Sequence, residues 1–411
     1  MAPTTTVPAR SAYRWIVLLL CWAAFTVTSV DRAVWGPAAL HAGKQLGVAV
    51  AGLGTFATAY YLGYVISNAG SGVLADRLGA RWVLGGSLAL SGLAMIGFGA
   101  VHTALFGIAM QAVIGLFAGA DYAAGVSLIS RWFQDEQRGL AMGVFMTATS
   151  LGVVIANAVV PSIVVGAGWR VAYHLFGGIS IAVGLLCLVA LPRRERRTAE
   201  TAPARPRLRV LLRHRDLMLL GLVGFGALWG TYGFVTWSNV LMTKGAGISP
   251  VRAGAVVAVF GIAALIAKPL VGVATDLFGI SYKRVIIVIL AFFVVTLLIF
   301  GSLRSLTAFF VVSPLLGAAA YAYSPLTAAM FPRLVEPGLV GSAAGAVNAI
   351  WQLGSTIVPV VVGAVYAGSG SFFAAFVVLA AGPLLAILVA LLLRDSRPAD
   401  RLTEPDEVAA S

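Results

Sequence analysis

The sequence predicts an all-α membrane protein in which twelve transmembrane helices form two parallel six-helix pseudo-repeats. Three observations predict it. Of the 411 residues, 60% are hydrophobic and only 10% charged, where a soluble globular domain carries about 25% charged residues. Apolar runs long enough to cross the roughly 30 Å hydrocarbon core as helices recur from one end of the chain to the other. The second half then repeats the first at a nearly constant offset.

The runs lie at 13–39, 50–73, 82–101, 104–130, 139–165, 171–191, 217–242, 252–274, 284–302, 306–331, 338–366 and 371–393. The first follows a polar tail, 1–12. It is too long and too polar at its far end to be a cleaved signal peptide, so it is expected to stay in the mature chain. It carries Asp31 and Arg32 deep inside, where a charge costs about 2.5–3.5 kcal/mol even on mild insertion scales. The second and third runs are joined by Gly72-x-x-x-Asp76-Arg77-x-Gly79-x-Arg81. The fourth holds Asp121 and leads through Arg131-Trp132-Phe133 to Arg138-Gly139-x-Ala141-x-Gly143, which opens the fifth. After the sixth comes the only long internal loop, 192–216, which is rich in arginine and proline. In the second half the eighth run holds Lys268 and ends at Gly272-x-x-x-Asp276-x-x-Gly279. This copies the Gly72–Gly79 pattern at an offset of 200, and Leu353-Gly354 follows Leu151-Gly152 at 202. Both halves run the same way through the membrane, so the repeat is parallel. Such halves hold a substrate site between them near the midplane.

Lysine and arginine set the orientation. Alternating the loops places 21 of the 28 on the side of both termini and five on the other, leaving Arg32 and Lys268 inside the membrane. The positive-inside rule makes the terminal side cytoplasmic. The expected organisation is a cytoplasmic tail 1–12, halves 13–191 and 217–393, a basic cytoplasmic linker 192–216 and a tail 394–411, in a bacterial-type inner membrane. The net charge of +13 resides in loops between apolar runs, which argues against nucleic-acid binding. Cys21 and Cys187 lie in apolar runs and read as buried free thiols rather than a disulfide or metal site. No nucleotide loop, metal cluster or nucleophile triad points to an enzyme, and no cofactor or metal is expected.

These motifs resemble the major facilitator superfamily over the whole chain. The resemblance implies its fold and a gate in which acids at helix ends meet arginines of the next loop: Asp76, Arg77, Arg81, Arg138 and Asp276. The other reading is that Asp76 and Asp276 only fix loop geometry. Asp31-Arg32 resembles the anion:cation symporters, which carry sugar acids and aromatic acids; there the arginine is implied to hold the substrate carboxylate and the aspartate to take part in proton coupling. An acid of that family expected in the fourth run aligns with Ala118, and Asp121 stands instead. Lys268 and Gly115-x-x-x-Gly119-x-x-Tyr122 resemble the monocarboxylate and oxalate transporters. Two departures stand out: Gln111 occupies a position where many superfamily members have arginine, and the Gly-Pro pair of drug antiporters is absent.

Each intramembrane charge has two readings. Arg32 cannot be neutralised and offers five donors, which suits a carboxylate ligand; otherwise it pairs with Asp31 or Asp121. Adjacent helical residues point about 100° apart, which makes an Asp31–Arg32 contact poor. Lys268 is a ligand or coupling group, or it snorkels to the interface. Asp121 takes up a proton, with Asp31 as a second candidate, or is a static partner of Arg32 or Lys268. Tyr64, Tyr232, Tyr321 and Asn348 are candidate cavity residues, with Tyr60, Tyr61, Trp237, Tyr323, Trp351 and Gln352 as softer ones; most polar aromatics of this kind are packing. The sequence thus reads as a monomeric secondary active transporter moving a small organic anion, a carboxylate, by proton symport and alternating access. An organic-anion exchanger or exporter shares every one of these residues. A drug or metabolite efflux pump is a further alternative, and two intramembrane cations count against it.

Overall fold

The computed structural model describes residues 9–133, 135–191, 214–334 and 340–394, and within these not the side chains of 9–11, 69–73, 75–77, 135–136, 276, 331–333 and 340–346. The described residues form helices, α1 (Ala9–Ala33), α2 (Trp35–Gln45), α3 (Leu53–Leu78), α4 (Ala80–Gly99), α5 (Ala104–Ala118), α6 (Ala120–Trp132), α7 (Asp135–Ala167) and α8 (Trp169–Ala190) in the first half. The second half contains α9 (Arg215–Gly245), α10 (Pro250–Leu277), α11 (Tyr282–Ser302), α12 (Leu306–Leu334), α13 (Val340–Ser369) and α14 (Phe372–Leu391). Eleven spans among the described residues are long and apolar enough to cross a membrane. The twelfth, α3, has the length, 26 residues, but Thr55, Tyr60, Tyr61, Tyr64, Ser67 and Asn68 dilute its apolar character.

Two expected segments each carry a local irregularity within one continuous span. The first splits into α1 and α2 at Val34. Pro37 has no N–H to give to Ala33, so the ladder loses one bond just after Asp31-Arg32, while the Val34 N–H still reaches the Val30 carbonyl at 2.9 Å and the Ala38 N–H the Val34 carbonyl at 3.3 Å. The fourth splits into α5 and α6 at Gly119, two residues before Asp121. Both intramembrane acids therefore sit beside a helix irregularity. The seventh segment starts two residues earlier than expected: α9 begins at Arg215, where the His214 Nδ1 caps the Leu217 amide at 3.3 Å.

The two halves are built alike. In the first, α1 packs on α7, α3 on α5 and α4 on α8; in the second, α9 packs on α13, α10 on α12 and α11 on α14. The repeat extends to single contacts. Gly115 of α5 lies against the Tyr60 carbonyl of α3, and Gly317 of α12 lies against the Phe260 carbonyl of α10; a Cβ at either would strike backbone. Such close approach is how helices associate in lipid, where apolar burial supplies no driving force between them.

The halves meet along two seams, α7 with α10 and α3 with α13, and α2 also touches α9. The seams are closed at the face opposite the termini. There Gly36 abuts the Val235 carbonyl, Gly54 the Pro359 carbonyl and Gly254 the ring of Pro161. Thr58 donates to the Thr356 carbonyl at 2.6 Å, and Asn239 Nδ2 to Asn157 Oδ1 at 2.8 Å. Toward the face that bears the termini, a Cβ at Gly139, Gly143 or Gly272 would meet no atom of the described residues within 4 Å. Cys21 and Cys187 are buried and free, as expected from their apolar setting.

Candidate functional site at the membrane midplane

Arg32 lies in the last turn of α1, just before the irregularity at Val34, and projects between the halves. Its guanidinium lies 4.8 Å from the ring centre of Tyr232 on α9 and 5.9 Å from that of Tyr64 on α3. Its only hydrogen bond among the described residues is a long one, Nη2 to Ser29 Oγ at 3.5 Å. Tyr61 extends the aromatic wall, 5.5 Å from Tyr232. A cation on π-faces keeps its N–H edge available for an acceptor.

Lys268 projects from α10 across the seam. Nζ donates to the Met146 carbonyl at 3.2 Å and to Thr149 Oγ1 at 2.5 Å, both on α7, and it stands 4.5 Å from the ring centre of Tyr321 on α12. At 7% exposure it does not snorkel. The two cations face one stretch of the seam: Gly152, a turn beyond Thr149, packs on Ser29, the residue Arg32 reaches. Tyr60, Tyr61, Tyr64, Tyr232 and Tyr321 belong to the same buried cluster between the halves.

The acids lie elsewhere. Asp31 turns into the first half, where Ser180 of α8 donates to it at 2.8 Å and Ser91 of α4 approaches at 3.5 Å. Asp121 receives Thr28 of α1 and Ser87 of α4, one hydroxyl on each carboxylate oxygen. Among the described residues no acid lies within ion-pairing distance of Arg32 or Lys268, and the described ion pair, Arg394–Asp216 at 4.0 Å, caps the terminal face. The expectation that Arg32 pairs privately with Asp31 or Asp121 is therefore not met, nor is a static Asp121–Lys268 pair. The reason is the helical twist: residues 31 and 32 leave α1 in different directions, one into the half and one into the seam.

Other expected residues are placed as follows. Asn348 is half-buried on α13 and makes no hydrogen bond among the described residues. Trp237 and Trp351 bond neighbouring helices, to the Pro359 carbonyl at 2.9 Å and the Leu220 carbonyl at 3.0 Å; Tyr323 meets Thr231 at 3.2 Å. Arg81 and Arg138 lie at the terminal face, Arg138 donating to the Ser130 carbonyl at 3.2 Å. The side chains of Asp76, Arg77 and Asp276 lie outside the described residues.

Beside Arg32, on the closed side, is a water-sized cavity lined by Trp35, Tyr60, Gln111, Val235 and Thr236. Sequence reasoning registered Gln111 only as a missing arginine and Tyr60 as one tyrosine of three. The signal available was their spacing, since both lie on the face where α5 and α3 approach through Gly115.

The comparisons with known proteins agree with this architecture. The sequence profile of the Major Facilitator Superfamily matches residues 20–255 and 234–410. A probable galactarate/D-glucarate transporter of Bacillus subtilis (strain 168) is 22% identical over 430 aligned residues, covering 95% of this chain and 94% of that protein. A hexuronate transporter of the same organism is 24% identical over 407, covering 93% and 94%. The crystal structure of a bacterial homolog of the human lysosomal transporter Spinster shares the fold, with a TM-score of 0.73 at 15% identity, covering 93% of this chain and 96% of that one. With two repeated halves, a polar site at their seam and the family profile over both, the chain belongs to the major facilitator superfamily and is a multi-pass membrane transporter, not an enzyme.

Proposed function

We propose that the chain moves a small organic carboxylate across a bacterial plasma membrane by alternating access coupled to protons, as a monomer with both termini cytoplasmic. The observation that carries the anion is the pair Arg32 and Lys268, one from each half, with no acid within ion-pairing distance among the described residues. A desolvated anion needs compensating charge, and cations from opposite halves give it contacts that change as the halves move. The relatives named for galactarate/D-glucarate and hexuronate transport support an acidic substrate. Tyr64, Tyr232 and Tyr321 frame the two cations. Asp121 and Asp31 are the proton carriers, and Asp76, Arg77, Arg81, Arg138 and Asp276 form the gate at the terminal face.

A second reading has its own support. Both acids are fully engaged by hydroxyls away from the cations, so an exchanger that carries anions without protons fits the same geometry. A panel of radiolabelled carboxylates, offered to purified protein in liposomes with and without an imposed pH gradient, separates the two. Accumulation driven by the gradient alone identifies symport. Uptake only against preloaded anion identifies exchange, and uptake of no carboxylate overturns the anion reading.

A further inference from the structure

Outward from Arg32 the two halves face each other with matching stripes of side chains. On the first half Arg32, Gly36, Leu40 and Lys44 recur every four residues along α1 and α2. On the second Tyr232, Thr236, Val240 and Lys244 do the same along α9, at the repeat offset of 200. The stripes meet level by level. Arg32 lies on Tyr232, a Cβ at Gly36 would stand 3.6 Å from the Thr236 carbonyl, and Leu40 and Val240 line one water-sized cavity. Gly36 borders both this cavity and the one beside Arg32. Lys44 and Lys244 end the stripes one turn further out, about 18 Å of helix rise from Arg32. The chain then leaves each helix through a glycine with φ of 68°, Gly47 and Gly247.

The mouth above the stripes is cationic and uncompensated. The turns at the face opposite the termini, 46–52, 100–103, 168, 246–249, 303–305 and 370–371, and the helix ends beside them, contain no Asp or Glu. The Lys and Arg residues there divide by partner. Arg170 donates to Gln45 and to the Val101 carbonyl, and Arg304 to the Gly301 and Leu303 carbonyls. Lys44, Lys244 and Arg252 are exposed and make no hydrogen bond or ion pair among the described residues. Arg252 follows Pro250, which lines the outer cavity. A lysine in the last turn of a helix suits the helix dipole, but Arg252 stands in the first turn of α10, where the dipole opposes a cation. Cations of one sign around a cleft focus the field and concentrate anions. Lysines act as mobile point charges, so they hold an anion without fixing its shape and release it readily. We propose that Lys44, Lys244 and Arg252 form an outer docking site for the carboxylate substrate, its first contact before the stripes part and Arg32 receives it. This inference rests on the carboxylate reading of the seam and adds to it a side of entry, the face opposite the termini.

Charge-sensitive labelling of a cysteine placed in the mouth tests the site. Ser249 is exposed between Lys244 and Arg252, while Cys21 and Cys187 are buried, so Ser249→Cys supplies the reacting thiol. The probes are anionic 2-sulfonatoethyl methanethiosulfonate and its cationic 2-trimethylammonioethyl counterpart, applied to purified full-length protein. Each rate is scaled to that with a free thiol in solution. At low salt the anionic reagent should be favoured about tenfold, the lower end for focused charge. The preference should vanish when Lys44, Lys244 and Arg252 are together replaced by Gln. Succinate should slow the anionic labelling, and neutral galactitol should not. In right-side-out vesicles the same triple variant should show an uptake KM raised about tenfold for the carboxylate carried in the liposome panel. That difference should close between about 0.01 M and 1 M salt, as the Debye length falls from about 30 Å to about 3 Å. Lys44→Arg combined with Lys244→Arg should retain the wild-type KM. No preference for the anionic reagent, no protection by succinate, or a triple-variant KM that is unchanged or raised at every salt overturns the docking site while leaving the carboxylate reading standing. Uptake of no carboxylate overturns both.

Discussion

Truncating Arg32 tests the anion site most directly. Its guanidinium has no acid partner among the described residues and one long hydrogen bond to Ser29, so Arg32→Ala leaves no buried acid orphaned. The empty protein should fold and insert, and its thermal unfolding should stay level or rise, because a costly desolvated charge has been removed. Binding should suffer instead. Losing one member of a buried charge pair costs about 2–5 kcal/mol, which is about thirty- to several-thousand-fold in affinity. Arg32→Lys keeps the charge but loses the planar fork and its stacking on Tyr232. One charge-assisted bond is worth about 1.5–3 kcal/mol, so the lysine variant should fall between wild type and alanine. The assay is isothermal titration of each purified variant with the acid that proves best in the liposome panel, with thermal unfolding as the folding control. A folded Arg32→Ala protein that binds this acid as tightly as wild type refutes the reasoning, and a neutral or cationic substrate becomes the better account.

Four further outcomes are expected. Asp121→Asn should abolish accumulation driven by a pH gradient while exchange of preloaded substrate survives; accumulation at the wild-type level would remove Asp121 from coupling. Gly54→Val should exclude the observed conformation, because its Cβ strikes the Pro359 carbonyl; a cysteine at Asn239 should then react with thiol reagents added from the face opposite the termini, with Cys21 and Cys187 buried and silent. Reporters fused after Arg394 and within 195–210 should both register cytoplasm, and an external signal at either would overturn the topology. Gly115→Ala should lower the yield of folded protein sharply, since the Tyr60 backbone cannot yield as a flexible side chain would; normal yield and unfolding temperature would show that the α3–α5 contact relaxes at no cost.

The architecture was legible because membrane helices announce themselves by length and apolarity, and because the repeat survives in Gly72–Gly79 and Gly272–Gly279. The irregularities at Val34 and Gly119 were not foreseen. Gly119 stood in the sequence only as part of the Gly115-x-x-x-Gly119 pattern; in the structure it both lies against the Tyr64 carbonyl of α3 and separates α5 from α6. At the site, the intramembrane charges Asp31, Arg32, Asp121 and Lys268 could be read from the chain, because a charge in an apolar run always has a reason to be there. Which charge meets which could not. The partners of the acids proved to be Ser87, Ser91, Ser180 and Thr28, hydroxyls that are common in membrane helices and carry no distinguishing sequence signal. Gln111 and Tyr60 escaped for a similar reason: neutral polar residues gain meaning only when a fold brings two of them to one cavity.

The seam between the halves has a consequence for turnover under the proposed alternating access. What holds the halves together there is mostly glycine on carbonyl, with Thr58–Thr356, Asn239–Asn157 and the Lys268 contacts among the few hydrogen bonds across it. Each bond has a net worth of about 1 kcal/mol, and water in an opening cleft can replace it. Under the proposed alternating access, parting the seam is therefore expected to meet only a modest barrier, while the glycine contacts inside each half hold those halves together. Substitutions that make the seam adhere better, by filling its glycines or adding ion pairs across it, should produce a more heat-resistant protein that works more slowly.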